Sequence, residues 1–229
     1  MELSGECRRI LNRVRVLAAG LLVILLGAVF SPESIPAAAD GKFTVVVDPG
    51  HGGVDGGAVS SDGVTEAGLN LTVSKLLKGE LEALGMGVIL TREDDNALAD
   101  GKKADMAARR SIMNQGGVDA VVSIHMNKFT DCSVHGPMAF YMEGSEEGQK
   151  LAKTVIDSVT AAIGAPTRLA NPADYYVIRE SKPVAVLVEC GFLSNSEDVK
   201  LLQDPAHQKI LAKAIAEGVY SYLAGNGLD

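Results

Sequence analysis

The chain has 229 residues, a formal net charge of −8, 47% hydrophobic residues and 22% charged residues. That length gives one domain a full core and leaves little for a second, and the composition excludes a disordered chain. Nucleic-acid affinity rests on basic groups facing phosphate, and no Lys/Arg cluster occurs beyond the N-terminus, so the sequence is read as binding no nucleic acid.

In chain order, Arg8, Arg9, Arg13 and Arg15 precede an apolar run from Val16 to Phe30, followed by Ala37-Ala38-Ala39. A basic start, a short apolar stretch and an Ala-x-Ala site predict a secretory signal peptide over residues 1–39, cut after Ala39. The run is shorter than the roughly 20 residues of a spanning helix. An uncleaved signal anchor is the second reading, and it is the only route by which the sequence reaches a membrane. No lipoprotein box follows the apolar run. Removing the leader takes the charge from −8 to −9, so general attraction to an anionic wall or membrane is not expected.

Residues 42–225 read as one domain. Phe43 to Asp48 is a buried strand ending in the turn around His51. Glu66 to Leu84 carries apolar residues at helical spacing, with Gly85 as its stop. Gly87 to Thr91 is a second strand, and Lys102 to Asn114 a helix. Ala120 to Ile124 is a third strand, delivering His125, and Met138 to Met142 a fourth. Glu147 to Ile163 is a helix closed by Gly164. Tyr175 to Ile178 reads as a short strand. Val184 to Val188 is a buried strand delivering Glu189. Pro205 to Leu223 closes the chain as a helix capped by Asp204. Alternating strands and helices predict an α/β fold, a single three-layer α/β/α domain with a mostly parallel mixed sheet.

Four residues carry the chemistry. His51 lies in Asp48-Pro49-Gly50-His51-Gly52-Gly53, His125 in Ser123-Ile124-His125-Met126-Asn127, and Glu189 in Val188-Glu189-Cys190-Gly191-Phe192. Glu66 opens a helix 15 residues after His51, and the Gly-rich stretch Val54 to Gly63 is long enough to fold it back. Two histidines and a carboxylate form the ligand set of a catalytic zinc with a position left for water. A further carboxylate off the metal is the proton acceptor such a water needs. Glu189 stands out because a strand of Val, Ala and Leu is a costly place for a charge. Each residue also has a plainer reading: a hydrogen-bonding His51, a Glu66 complementing a helix dipole, and a Glu189 paired with Arg92. Asn127 is either a group that orients a ligand or substrate or a turn residue. His135 and His207 read as surface or capping residues. Whether Cys132 and Cys190 pair is left open; Cys190, next to Glu189 on a strand, faces the opposite side and reads as a buried thiol.

The blocks around His51, His125 and Glu189, together with Thr91-Arg92 and Arg109, closely resemble the zinc-dependent N-acetylmuramoyl-L-alanine amidases of bacterial walls, the amidase-3 type. The resemblance spans about residues 43–223. It implies one zinc per chain held by His51, Glu66 and His125, with Glu189 as catalytic acid/base and Asn127 and Arg92 in supporting roles. The implied substrate is peptidoglycan, at the amide between the lactyl group of N-acetylmuramic acid and L-alanine. The bare catalytic domain is similar to the germination-specific, spore-cortex members, which help make muramic-δ-lactam. That places the protein outside the cytoplasm, in the cell wall or between the spore membranes. An exported activator protein is an expectation from the same resemblance. The section from Thr91 to Arg109 is too short for the autoinhibitory helix of some cell-division amidases. Site chemistry alone leaves two alternatives: a zinc peptidase cutting within stem peptides, and a non-catalytic wall-binding protein.

Overall fold

Val45, Val46 and Val47 are all fully buried, so the first strand, β1 (Thr44–Pro49), has no solvent side. β-Branched residues on both faces suit a parallel strand covered above and below. The computed structural model describes residues 43–166 and 168–225; the expected leader lies outside the described residues.

The other strands are β2 (Gly87–Leu90), β3 (Ala120–Asn127), β4 (Met138–Met142), β5 (Ala170–Ala173) and β6 (Val184–Phe192). They form one sheet in the order β2-β1-β3-β6-β4-β5. β1, β2, β3 and β6 run parallel; β4 pairs antiparallel with β6 and parallel with β5. Because β2 lies on one side of β1 and β3 on the other, the strand order reverses between β1 and β3. Ligand sites of open α/β sheets gather at such a point, beyond the C-terminal strand ends.

The helices are α1 (Glu66–Ala83), α2 (Lys102–Met113), α3 (Glu146–Ile163), α4 (Tyr176–Arg179), α5 (Ser196–Gln203) and α6 (Pro205–Gly225). α1 steps Leu69, Val73, Leu77 and Leu81 down one buried face, the spacing that keeps side chains in register every turn. Gly85 follows at φ 79, a left-handed stop that glycine takes without strain. Ser145 caps α3 by accepting from the Gly148 N–H at 3.0 Å. Asp204 caps α6 through the Ala206 N–H at 3.0 Å, as the sequence predicts.

One face of the sheet carries the main apolar core. Val45, Val47, Val122, Ile124, Val186 and Val188 meet α1, α3 and α6 there. The opposite face is thinly covered. Val46, Val121, Ala185 and Leu187 meet Met113 of α2 and Val177 and Ile178 of α4. The three-layer α/β/α reading therefore holds, with unequal layers. Among the described residues no helix is long and apolar enough to cross a membrane.

Several elements differ from expectation. Tyr175 to Ile178 is not a strand: Arg179 and Glu180 donate backbone N–H groups to the carbonyls of Tyr175 and Tyr176, closing a helical turn. That turn buries the consecutive Val177 and Ile178 against one surface, which a strand's alternation forbids. The strand of this region is β5, and its Pro172 is tolerated because β5 is the sheet edge. α5 was not foreseen; Asn195 caps it by accepting from Glu197 and Asp198 N–H groups, each at 3.0 Å. β3 and β6 also run further than predicted, so His125 and Glu189 lie within strands rather than after them. Pairing continues because both strands have neighbours there, His125 opposite Glu189 and Glu189 opposite Met138.

Candidate active site

Asp48, Ser123, His125, Leu187 and Glu189 occupy alternate positions of β1, β3 and β6 with Val46, Val121 and Ala185, and so share the thinly covered face. The apolar residues fill its rear and the polar ones its C-terminal end. His125 and Glu189 are direct partners across the parallel β3–β6 ladder, which stands their side chains next to each other.

His51 follows β1 with φ 62. The chain then folds back through short bridges, Gly52 to Asp55 and Val59 to Thr65. The Ala58 N–H donates to Glu66 Oε2 at 2.8 Å, and the Glu66 N–H donates to the Ala58 carbonyl at 2.9 Å. This returns Glu66 to the strand ends. Its Oε1 lies 3.2 Å from His51 Nε2 and 2.8 Å from His125 Nδ1. One donor atom from each of the three residues lies within 4.8 Å of the other two. The imidazoles meet edge to face, their centroids 5.1 Å apart.

Two glycines make this convergence possible. A Cβ on Gly50 would stand 2.3 Å from the His125 ring, and one on Gly57 would stand 2.6 Å from Glu66 Oε2. Gly57 also sits at φ 67, so a side chain there is opposed by both space and backbone. The sequence reading assigned the glycines beside His51 to turning; Gly50 makes room instead.

The carboxylates differ in charge. Burial alone would raise the Glu66 carboxyl, but the hydrogen bonds from His125 and His51 outweigh it and hold Glu66 well below the usual carboxylate range. Glu66 is thus an anionic donor at neutral pH. Burial pushes Glu189 up to about 7; His125 and His51 lower it and Glu66 raises it. Glu189 is 8% exposed, and its Oε2 has no hydrogen-bond partner. Two imidazole nitrogens and an ionised carboxylate oxygen around one point suit a divalent metal, and an unpartnered carboxylate oxygen alongside is where a reacting proton would be taken up.

Asp55 was missed by sequence reasoning. Its Oδ1 lies 3.0 Å from His51 Nδ1, the position of the carboxylates that fix the tautomer of metal-binding histidines. Its signal was His followed by Asp four residues on, between glycines. Asn70 was also missed. One turn after Glu66, its Nδ2 donates to Glu66 Oε1 at 3.4 Å and to the Gly50 carbonyl at 3.1 Å. Asn127 turns its Oδ1 onto the Lys128 N–H at 2.8 Å and makes no side-chain hydrogen bond to His51, Glu66 or His125. Arg92 does not pair with Glu189. It lies behind the His51 turn, donating to backbone carbonyls. His135 and His207 stay out of the cluster, and Cys132 and Cys190 are both free, the first exposed and the second buried. A groove of about 780 Å³ leads away from His51 and His125, between residues 96–106 and Tyr175 to Val177.

Residues 45–221 match the family described as N-acetylmuramoyl-L-alanine amidase. The chain is 33% identical over 208 residues to the germination-specific N-acetylmuramoyl-L-alanine amidase of Bacillus subtilis, covering 86% of each. It is 30% identical to a probable cell wall amidase, LytH, of Staphylococcus aureus, covering 79% of this chain and 58% of that one. Among solved structures it is similar to the CwlD amidase of Clostridioides difficile in complex with the GerS lipoprotein. There the TM-score is 0.76 at 32% identity, covering 80% of this chain and 99% of that one.

Proposed function

The chain belongs to the N-acetylmuramoyl-L-alanine amidase family, and from that premise we propose that His51, Glu66 and His125 hold one zinc ion while Glu189 moves the proton. The activity is hydrolysis of the amide between N-acetylmuramic acid and L-alanine in peptidoglycan. The observation that carries the division of labour is the pairing of His125 with Glu189 across β3 and β6, with Glu189 Oε2 left without a partner.

Zinc held by His51, Glu66 and His125 would act there as a Lewis acid, making a water acidic enough to ionise near neutral pH and polarising the lactyl carbonyl. Glu189 Oε2, which has no partner of its own, would take the proton of the water that attacks the carbonyl carbon. In the metal-free site burial raises this carboxyl to about 7; a cation beside it would lower that and favour the ionised form that accepts a proton. Glu189 then gives the proton to the alanine nitrogen, so that the C–N bond breaks to a free amine rather than an amide anion. The lactyl group is left as a carboxylate. Asp55 holds the His51 ring so that Nε2 faces the cluster. Arg92 and Asn127 act in support, away from the reacting atoms.

The test is mass spectrometry of purified peptidoglycan treated with the protein and zinc, beside a chelated control. Intact stem peptides with a free L-alanine amine, released only with zinc, are expected. Peptides cut internally, or equal release under chelation, would contradict this reading.

We further propose that residues 1–39 direct export and that the enzyme acts in the spore cortex. Support comes from the likeness to the germination-specific amidase and to CwlD, each matched over most of its length. Stripping the stem peptide leaves a muramic lactyl carboxylate, the precursor state for muramic-δ-lactam. Deleting the gene should remove that lactam from cortex, and unchanged lactam content would reject the role. An exported activator protein is proposed on the same likeness. Full zinc occupancy and full turnover of the purified enzyme alone would reject it.

A further inference from the structure

His51 is the only non-glycine residue with positive φ among the described residues. A left-handed backbone is unfavourable for an L-residue, and such conformations persist where their surroundings over-determine them. Here the surroundings are two buried arginines. Arg92 Nε and Arg109 Nη1 donate to the Pro49 carbonyl at 3.1 and 2.7 Å. Arg92 Nη2 donates to the Gly50 carbonyl at 2.9 Å, and Arg109 Nη2 to the His51 carbonyl. Three consecutive carbonyls are therefore gripped by guanidinium groups, each arginine being 3% exposed or less.

The far contacts of the arginines show what the grip measures. Arg92 Nη2 also donates to the Ala67 carbonyl at 2.9 Å. One nitrogen thus bridges the residue before His51 and the residue after Glu66. Asn70 Nδ2 makes a parallel bridge, from the Gly50 carbonyl to Glu66 Oε1. Arg109 is anchored to α2 by Asp105 and to β1 by Asp48, each at 2.8 Å. The loop carrying His51 is thus tied to the helix carrying Glu66 and to the sheet carrying His125.

We infer that Arg92 and Arg109 are positioning residues that set the spacing of the metal donors, by holding His51 in its left-handed conformation at a fixed distance from Glu66. This rests on the reading of His51 and Glu66 as ligands. A lysine keeps the charge but not the planar fork, and cannot hold two carbonyls and a carboxylate in the same directions. The clamp therefore depends on shape and not on charge alone.

The experiment loads the full chain, wild type or variant, with Co²⁺ as a visible probe, and measures Zn²⁺ affinity by competition with a chelator. Wild type and His51→Ala come first: wild-type binding that His51→Ala does not weaken would overturn the ligand reading itself. Given normal wild-type binding, Arg109→Lys and Arg92→Lys should each weaken Zn²⁺ by about tenfold or more and change the Co²⁺ absorption spectrum, at a temperature where both variants are folded. Arg110→Lys, on the same helix and paired with Glu180, should change neither. Folded Arg109→Lys and Arg92→Lys proteins with wild-type affinity and spectrum, even with lowered Tm, would overturn the clamp and leave the arginines a role in stability alone. Should Arg109→Lys not fold, Arg92→Lys decides, since it bridges the two ligand segments directly.

Discussion

Two buried carboxylates, Asp48 on β1 and Glu189 on β6, flank β3 on the same face of the sheet, and they have opposite fates. Asp48 accepts from Arg109 at 2.8 Å, Thr91 at 2.6 Å and Ser123 at 2.8 Å. Burial would raise its carboxyl; Arg109 and the two hydroxyls outweigh that and hold it below the usual range. Glu189 has no such company at Oε2 and rises to about 7. Burial is common to both, so it is the partners that decide the charge. Asp48 is committed to structure, anchoring the arginine behind the His51 turn. Glu189 stays unpartnered at a cost to stability, which is what the proton-transfer role proposed for it requires.

Substitutions at the two acids separate these fates. Glu189→Gln has the largest expected effect: hydrolysis falls by about 10²–10⁴-fold, the range for a lost general acid/base, while Zn²⁺ affinity stays near wild type. Wall cleavage at the wild-type rate would end the proposed role of Glu189. Asp48→Asn keeps the shape, removes the carboxylate bonded to Arg109 Nη1, and leaves Asp105 as the one carboxylate on that arginine. Thermal unfolding should show a loss of about 3–5 kcal/mol, as for a broken buried ion pair, and a wild-type Tm would refute the comparison from the Asp48 side.

The third prediction turns on sign. Glu189 has a folded pKa of about 7 against an ordinary 4.5, so between those values the unfolded chain has lost a proton that the folded chain keeps. Stability of the metal-free protein from this group is therefore full below pH 4.5 and lost as pH rises to 7. Glu189→Gln removes the loss. In chelator it should be more stable than wild type by about 3 kcal/mol at pH 8, with the gain gone near pH 4. Denaturant melts at the two pH values measure it, and an equal gain at both would assign the effect to packing. The smallest change is at a third acid, Asp55, which is partly exposed. Asp55→Asn should weaken Zn²⁺ about 10–100-fold, the usual cost of losing a histidine's carboxylate partner, and an unaltered dissociation constant would leave Asp55 without a part in the site.

Much of this was legible in the residues. Fully apolar strands gave a covered parallel sheet, and a carboxylate closing Val184 to Val188 could not be an ordinary surface charge. His51 and His125 stood out because each followed an apolar strand, and the topology places both at the reversal of strand order. What stayed hidden depended on contacts across the sequence. Tyr175 to Ile178 carries the composition of a strand, and only the thin cover over Leu187 makes a helical turn the better use of Val177 and Ile178. Asp55 and Asn70 are ordinary loop and helix residues until the loop closes. Arg92 looked like a partner for Glu189 because nothing in the sequence says that the carbonyls of Pro49 and Gly50 converge on it.

The sheet order has a consequence for the nascent chain. β6 is the last strand made, yet it belongs between β3 and β4, so the sheet is completed from its middle. Non-local pairing of this kind is slow, on the order of milliseconds to seconds. The proposed ligands at 51, 66 and 125 are all present before residues 184–192 emerge, but their proton acceptor is not. On the proposed roles, a chain that stops before β6 carries the metal donors without the acid that moves the proton. On that reading, cutting depends on the last strand taking its place in the middle of the sheet.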